Sequence, residues 1–138
     1  MFGNSRPGAQ AYRQMSVDTD ALAASPHQLI VMLFDGALRA IDIARTQMQG
    51  GDIEGKGRSI SKAIEIIGSG LAASLDLKAG GELAANLASL YDYAIRQLVD
   101  ANLHNDTGRL DEARRLLAQM RTNWLDIGSH ALPQGAAA

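Results

Sequence analysis

Apolar residues recur at helical spacing in four long segments of this chain, each bounded by turn-forming residues. The first is announced by Ser25-Pro26-His27-Gln28. Ser25 is a good N-cap, Pro26 suits the first helical position, and Gln28 is placed to reach back to the cap amide as a capping box. This helix is predicted over 26–49 and stops at Gly50-Gly51, where a left-handed cap residue is favoured. A second helix begins after Asp52, its N-cap, and runs to about Leu75. Lys78-Ala79-Gly80-Gly81 makes the next break, and a third helix spans about Glu82 to Leu103. Asn105-Asp106-Thr107-Gly108 makes the last break and caps a fourth helix reaching about Ile127. Connections this short make consecutive helices antiparallel neighbours. The predicted fold class is therefore all-α, an up-down four-helix bundle. Residues 1–16 read as a flexible N-terminal arm, 17–127 as the bundle domain and 128–138 as a disordered tail.

The helices differ in the width of their apolar faces. The fourth has one narrow stripe, Leu110, Ala113, Leu117, Met120, Trp124 and Ile127. The second carries Ile60, Ile64, Ile67, Leu71 and Leu75, and beside it Ala63, Ile66, Gly70, Ala73 and Leu77. Together these cover about 200°, where a surface helix needs little more than about 100°. In the third helix Leu83, Leu87, Leu90, Tyr91, Ala94 and Leu98 are widened by Ala88, Ile95, Val99 and Leu103. In the first, Leu29, Leu33, Ile41 and Ala44 are joined by Ile30, Phe34, Leu38 and Met48. A helix with two packed neighbours accounts for a wide face. Three wide helices also leave apolar surface once a bundle closes, and such patches mark protein–protein sites. Gly68 and Gly70 are mid-helix, where each costs about 1 kcal/mol relative to Ala. Close approach of another helix or local flexibility would explain them.

Composition narrows the function. Aromatic residues are 4%, net charge is −2, and there is no cysteine. Disulfides, thiolate catalysis and Cys-based metal sites are excluded, and no attraction to nucleic acid or an anionic membrane is expected. No segment approaches the ~18 apolar residues a membrane span needs. His27, His104 and His130 form no i, i+4 pair, and no Glu-x-x-His occurs, so neither a metal nor a cofactor is expected. No Gly-x-Ser-x-Gly elbow or phosphate-binding glycine loop is present, and the chain does not read as an enzyme. Asp35, Asp92 and Arg96 read as surface charges.

With the helices laid out, the chain resembles the FliS family of flagellar secretion chaperones. Tyr12 with Val17 is similar to the family's N-terminal arm. The run Ala24 to Ala37 resembles its opening helix, with Phe34 where Tyr is usual. Residues 60–67 followed by Ser74-Leu75-Asp76 resemble its second helix, and residues 80–87 with Leu90-Tyr91-Asp92-Tyr93 its third. Ala101-Asn102 and Trp124 follow in order, so that about residues 12–125 are covered. Gly68 and Gly70 depart from the bulkier or polar residues usual there.

The resemblance implies a cytoplasmic chaperone that binds the C-terminal region of flagellin, blocks its premature polymerisation and supports delivery to the export apparatus. Ala63, Ile66, Gly70 and Ala73 of the second helix, with Ala88, Ile95 and Val99 of the third, are the candidate flagellin groove. Tyr12 is the candidate arm residue covering it. Export-gate components are further candidate partners, and the chain is expected to be a monomer or weak homodimer. Two other readings fit a four-helix bundle. A histidine phosphotransfer domain needs an exposed mid-helix His, whereas His27 and His104 lie near helix ends. A structural oligomer would bury the second stripes against copies of itself.

Overall fold

The computed structural model describes residues 24–129. The expected arm, with Tyr12, and residues 130–138 of the expected tail lie outside the described residues. Helix α1 is Pro26–Gln49. Helix α2 is Ile53–Glu65, continued by a π-helical stretch, Ile66–Leu71, and a 3-10 turn, Ala72–Ser74. Helix α3 is Leu77–His104 and α4 is Thr107–Ser129. In cross-section α1 lies between α2 and α4, and α3 closes the ring by packing on both. The start of α1 meets the end of α4, and the start of α2 meets the end of α3. This is the all-α bundle expected from the sequence.

The punctuation residues do what their chemistry predicts. Ser25 Oγ accepts from Gln28 N at 3.1 Å and Gln28 Oε1 accepts from Ser25 N at 2.9 Å, a complete capping box. Gly51 turns the chain with φ +80°. Asp52 Oδ1 then accepts from Gly55 N at 3.0 Å and opens α2. Asn105 ends α3 in the left-handed region, φ 54°, and Asp106 Oδ1 accepts from Gly108 N at 2.9 Å at the start of α4.

Two elements differ from expectation. Helix α3 begins at Leu77, because Asp76 caps Lys78 N and Ala79 N, and it breaks at Gly81, whose φ of 55° and ψ of −133° suit glycine alone. The regular helix resumes at the predicted Glu82. Helix α2 widens into a π turn where a plain α-helix was expected. Ile67 and Leu71, four residues apart, are both fully buried there. A π turn holds more residues than an α turn, which keeps an i, i+4 pair in line with the core.

Phe34, Ile41, Ile60, Ile67, Leu71, Leu98, Leu110 and Leu117 are the largest enclosed side chains. Alanines lie between them at Ala37, Ala44, Ala63, Ala94, Ala101 and Ala113, all 0% exposed, so the helices approach closely. On α3 the buried line is Ala84, Tyr91, Ala94, Leu98 and Ala101: Tyr91, Ala94 and Leu98 of the expected stripe are inward, and Ala84 and Ala101 join them. Leu83 is 63% exposed and Leu90 is also exposed. Small alanines take the inward places where neighbouring helices crowd in.

Candidate functional site

The four seams of the bundle are fastened unequally. Three arginine–aspartate pairs cross α1–α4: Arg121–Asp35 at 2.6 Å, Arg114–Asp42 at 2.6 Å and Arg45–Asp111 at 2.8 Å. The Arg45 guanidinium hydrogen-bonds the Asp111 carboxylate and holds it below its ordinary range, while that carboxylate raises Arg45. Across α3–α4, Tyr93 donates to Glu112 at 3.3 Å, and Arg109 reaches Gln97 at 3.2 Å and Asp100 at 3.6 Å. Ser59 donates to Gln47 at 2.6 Å across α1–α2. The α2–α3 seam has one polar tie among the described residues, Lys56 near its end. At its middle a methyl placed on Gly68 would sit 3.8 Å from Ile95 Cδ1, in ordinary contact.

The seven candidate groove residues do not share one trough. Ala88 and Ile95 are half-buried on the α2-facing side of α3, and Val99 on the same side is 46% exposed. Ala73 is exposed at the end of the second segment. Ala63 is enclosed in the core. Ile66 and Gly70 lie on the other flank of α2, against α1. A methyl on Gly36 would meet Ile66 Cδ1 at 3.4 Å, and one on Gly70 would meet Leu33 Cδ2 at 3.1 Å. The two mid-helix glycines therefore have different surroundings: Gly70 permits a close approach, and Gly68 has room to spare.

A second concave surface was not foreseen. An apolar pocket of about 330 Å3 opens where α1 starts, lined among others by Leu29, Leu33, Leu75, Leu87, Tyr91 and Trp124. The sequence assigns these residues to core stripes, and the pocket forms where those stripes meet at one end of the bundle. One wall is a clamp. The His27 ring stacks on Trp124 at 4.9 Å and 9°; Trp124 Nε1 donates to His27 O at 3.0 Å, and His27 Nε2 lies 2.7 Å from Trp124 O. Burial pushes the Tyr91 hydroxyl up to about 12, so it stays neutral. Among the described residues no cluster could hold a metal ion, and no helix is long and apolar enough to cross a membrane.

Wide apolar surface, an unlatched seam and a preformed apolar pocket belong to the class of helical-bundle proteins that bind other polypeptides. The particular family follows from comparison. The chain belongs to the FliS family, described as flagellar protein FliS, whose match spans residues 8–131. It is 49% identical over 124 residues to the flagellar secretion chaperone FliS of Salmonella typhimurium, covering 90% of this chain and 92% of that one. It is 46% identical over 113 residues to the flagellar secretion chaperone FliSB of Pseudomonas aeruginosa, covering 82% and 89%. With FliS of Bacillus subtilis it shares 37% over 114 residues, covering 83% and 80%. These relatives are named as chaperones; the family is not one of enzymes.

Proposed function

We propose that this flagellar export chaperone takes as its client the C-terminal region of flagellin in the cytoplasm, keeps it from polymerising and hands it to the export apparatus. The observation that carries the reading is the α2–α3 seam of a FliS-family bundle: apolar, nearly free of polar ties and partly open at Val99. An apolar client helix gains most where no ion pair must first be broken. Ala88, Ile95 and Val99 contact the client, with Ala73 at the far end. Ala63, Ile66 and Gly70 act from behind, seating the turn of α2 that forms one wall. The arm bearing Tyr12 covers apolar surface until the client arrives.

The test is calorimetric titration with a peptide of the last ~50 residues of the same organism's flagellin, where apolar burial gives a negative heat-capacity change. Saturable one-to-one binding is expected, lost in Val99→Glu while the melting temperature stays unchanged. Deleting residues 1–16 should tighten binding. A folded protein that gives no heat with the peptide refutes the client assignment.

A further inference from the structure

The start of α2 and the end of α3 meet around an open recess of about 910 Å3. Lys56 lines it, although Lys56 is only 4% exposed. Burying an ammonium is costly unless hydrogen bonds and opposite charge compensate it. Here Nζ donates to the Asn102 carbonyl and to Asn105 Oδ1, each at 3.0 Å. Both acceptors are neutral, and they sit at the end of α3, where the helix carbonyls favour a cation. Among the described residues Lys56 forms no ion pair. An ammonium has three N–H donors, so two bonds leave one for a ligand in the recess.

The rim matches such a ligand. Arg58 and Lys62 stand against Glu54 and Glu65, and Glu54 is engaged by Arg58 at 3.7 Å. Three cations thus face two carboxylates, in a chain whose net charge is negative. Beside them lie two exposed aliphatic side chains, Ile53 at 57% and Leu103 at 72%. A buried donor inside a cationic, aliphatic rim is complementary to an apolar chain end.

We infer that this recess captures the C-terminal carboxylate of the client, Lys56 donating to one of its oxygens while the last apolar side chains rest on Ile53 and Leu103. The inference rests on the client being a polypeptide's C-terminal region. Such a region carries one anionic group whatever its sequence, the α-carboxylate. Capture of a chain end by fixed donors is an established recognition mode. The recess continues the α2–α3 seam, since Leu103 is one turn beyond Val99.

The test uses the full-length protein and the same flagellin peptide in two forms, free acid and C-terminal amide, titrated at low and at physiological salt. The amide is expected to bind about tenfold more weakly, the loss of one charge-assisted hydrogen bond, with the gap larger at low salt. Lys56→Met should remove the difference between the two forms. Because Lys56 also ties α2 to α3, Gly57→Leu is the second variant. Gly57 lines the recess and an added Cβ there has nothing within 4 Å, so a leucine at this position starts in open space and intrudes on the recess. It should erase the preference as well. Equal affinity of acid and amide for the unmodified protein overturns the inference and leaves the client assignment standing. So does a Gly57→Leu protein that still prefers the acid. Failure of both forms to bind removes the client assignment and this inference together.

Discussion

Gly68 and Gly70 are two residues apart in the same π-helical stretch, yet alanine should act differently at the two. Either substitution gains about 1 kcal/mol of helix propensity. At Gly68 the new methyl meets Ile95 Cδ1 at 3.8 Å, and nothing has to move. Gly68→Ala should therefore stabilise the protein by about 0.5–1 kcal/mol. At Gly70 the methyl comes to 3.1 and 3.3 Å from the two Leu33 methyl carbons. Leu33 packs against the core, so shifting it costs about 1–3 kcal/mol, the range for overpacking. Gly70→Ala should end up between neutral and about 2 kcal/mol destabilised. The variants should differ by about 1–3 kcal/mol, and urea denaturation followed by far-UV circular dichroism should place their midpoints about 1 M apart. Shortening Leu33 should relieve Gly70→Ala and leave Gly68→Ala unaffected, a coupling read from a double-mutant cycle. Coincident midpoints, or a Gly70→Ala protein more stable than Gly68→Ala, would refute the close-approach account and mean that both glycines serve flexibility.

Gly81→Ala should destabilise by about 1–3 kcal/mol in the same assay, since φ 55° with ψ −133° is strained for any L side chain. Asp111 titrates below its ordinary value of 3.8 in the folded protein, so its contribution is present above that pH and is lost as pH falls through the lower folded value. Asp111→Asn should accordingly flatten the loss of stability below about pH 4, read from acid denaturation curves, and leave the neutral-to-basic limb unchanged in slope. Trp124→Phe removes the indole N–H that reaches His27 O and should cost about 0.5–1.5 kcal/mol in chemical denaturation, the net worth of one hydrogen bond.

The number, order and ends of the helices were legible because they are fixed by neighbours in sequence. Ser25 with Gln28, Asp52 with Gly55, and Asn105 with Asp106 act over three residues or fewer, and no distant contact is needed to predict them. The break at Gly80-Gly81 was visible for the same reason, although Asp76 starts a helical turn before it. Family membership was legible too, since ordered short runs along one chain are a sequence property. The narrow stripe of α4 was read correctly at Leu110, Ala113, Leu117 and Met120, because an amphipathic helix with one apolar line has one way to face a core.

Wide faces carry no such information. On α3 periodicity placed Tyr91, Ala94 and Leu98 inward, but only the crowding of neighbouring helices put Ala84 and Ala101 beside them and left Leu83 and Leu90 exposed. The same holds for α2, where Ile66 and Gly70 went to α1 and Gly68 to α3. The pairings Arg121–Asp35, Arg114–Asp42 and Arg45–Asp111 join charges 66 to 86 residues apart that read singly as solvated surface. Lys56, one cation among several in sequence, became a buried donor because α3 ends over it. Sequence alone determined the helices, their caps and the family, since these depend on spacing along the chain. Which seam is latched, which face is open and where a pocket remains depend on side chains meeting across helices, and only the tertiary structure decided them.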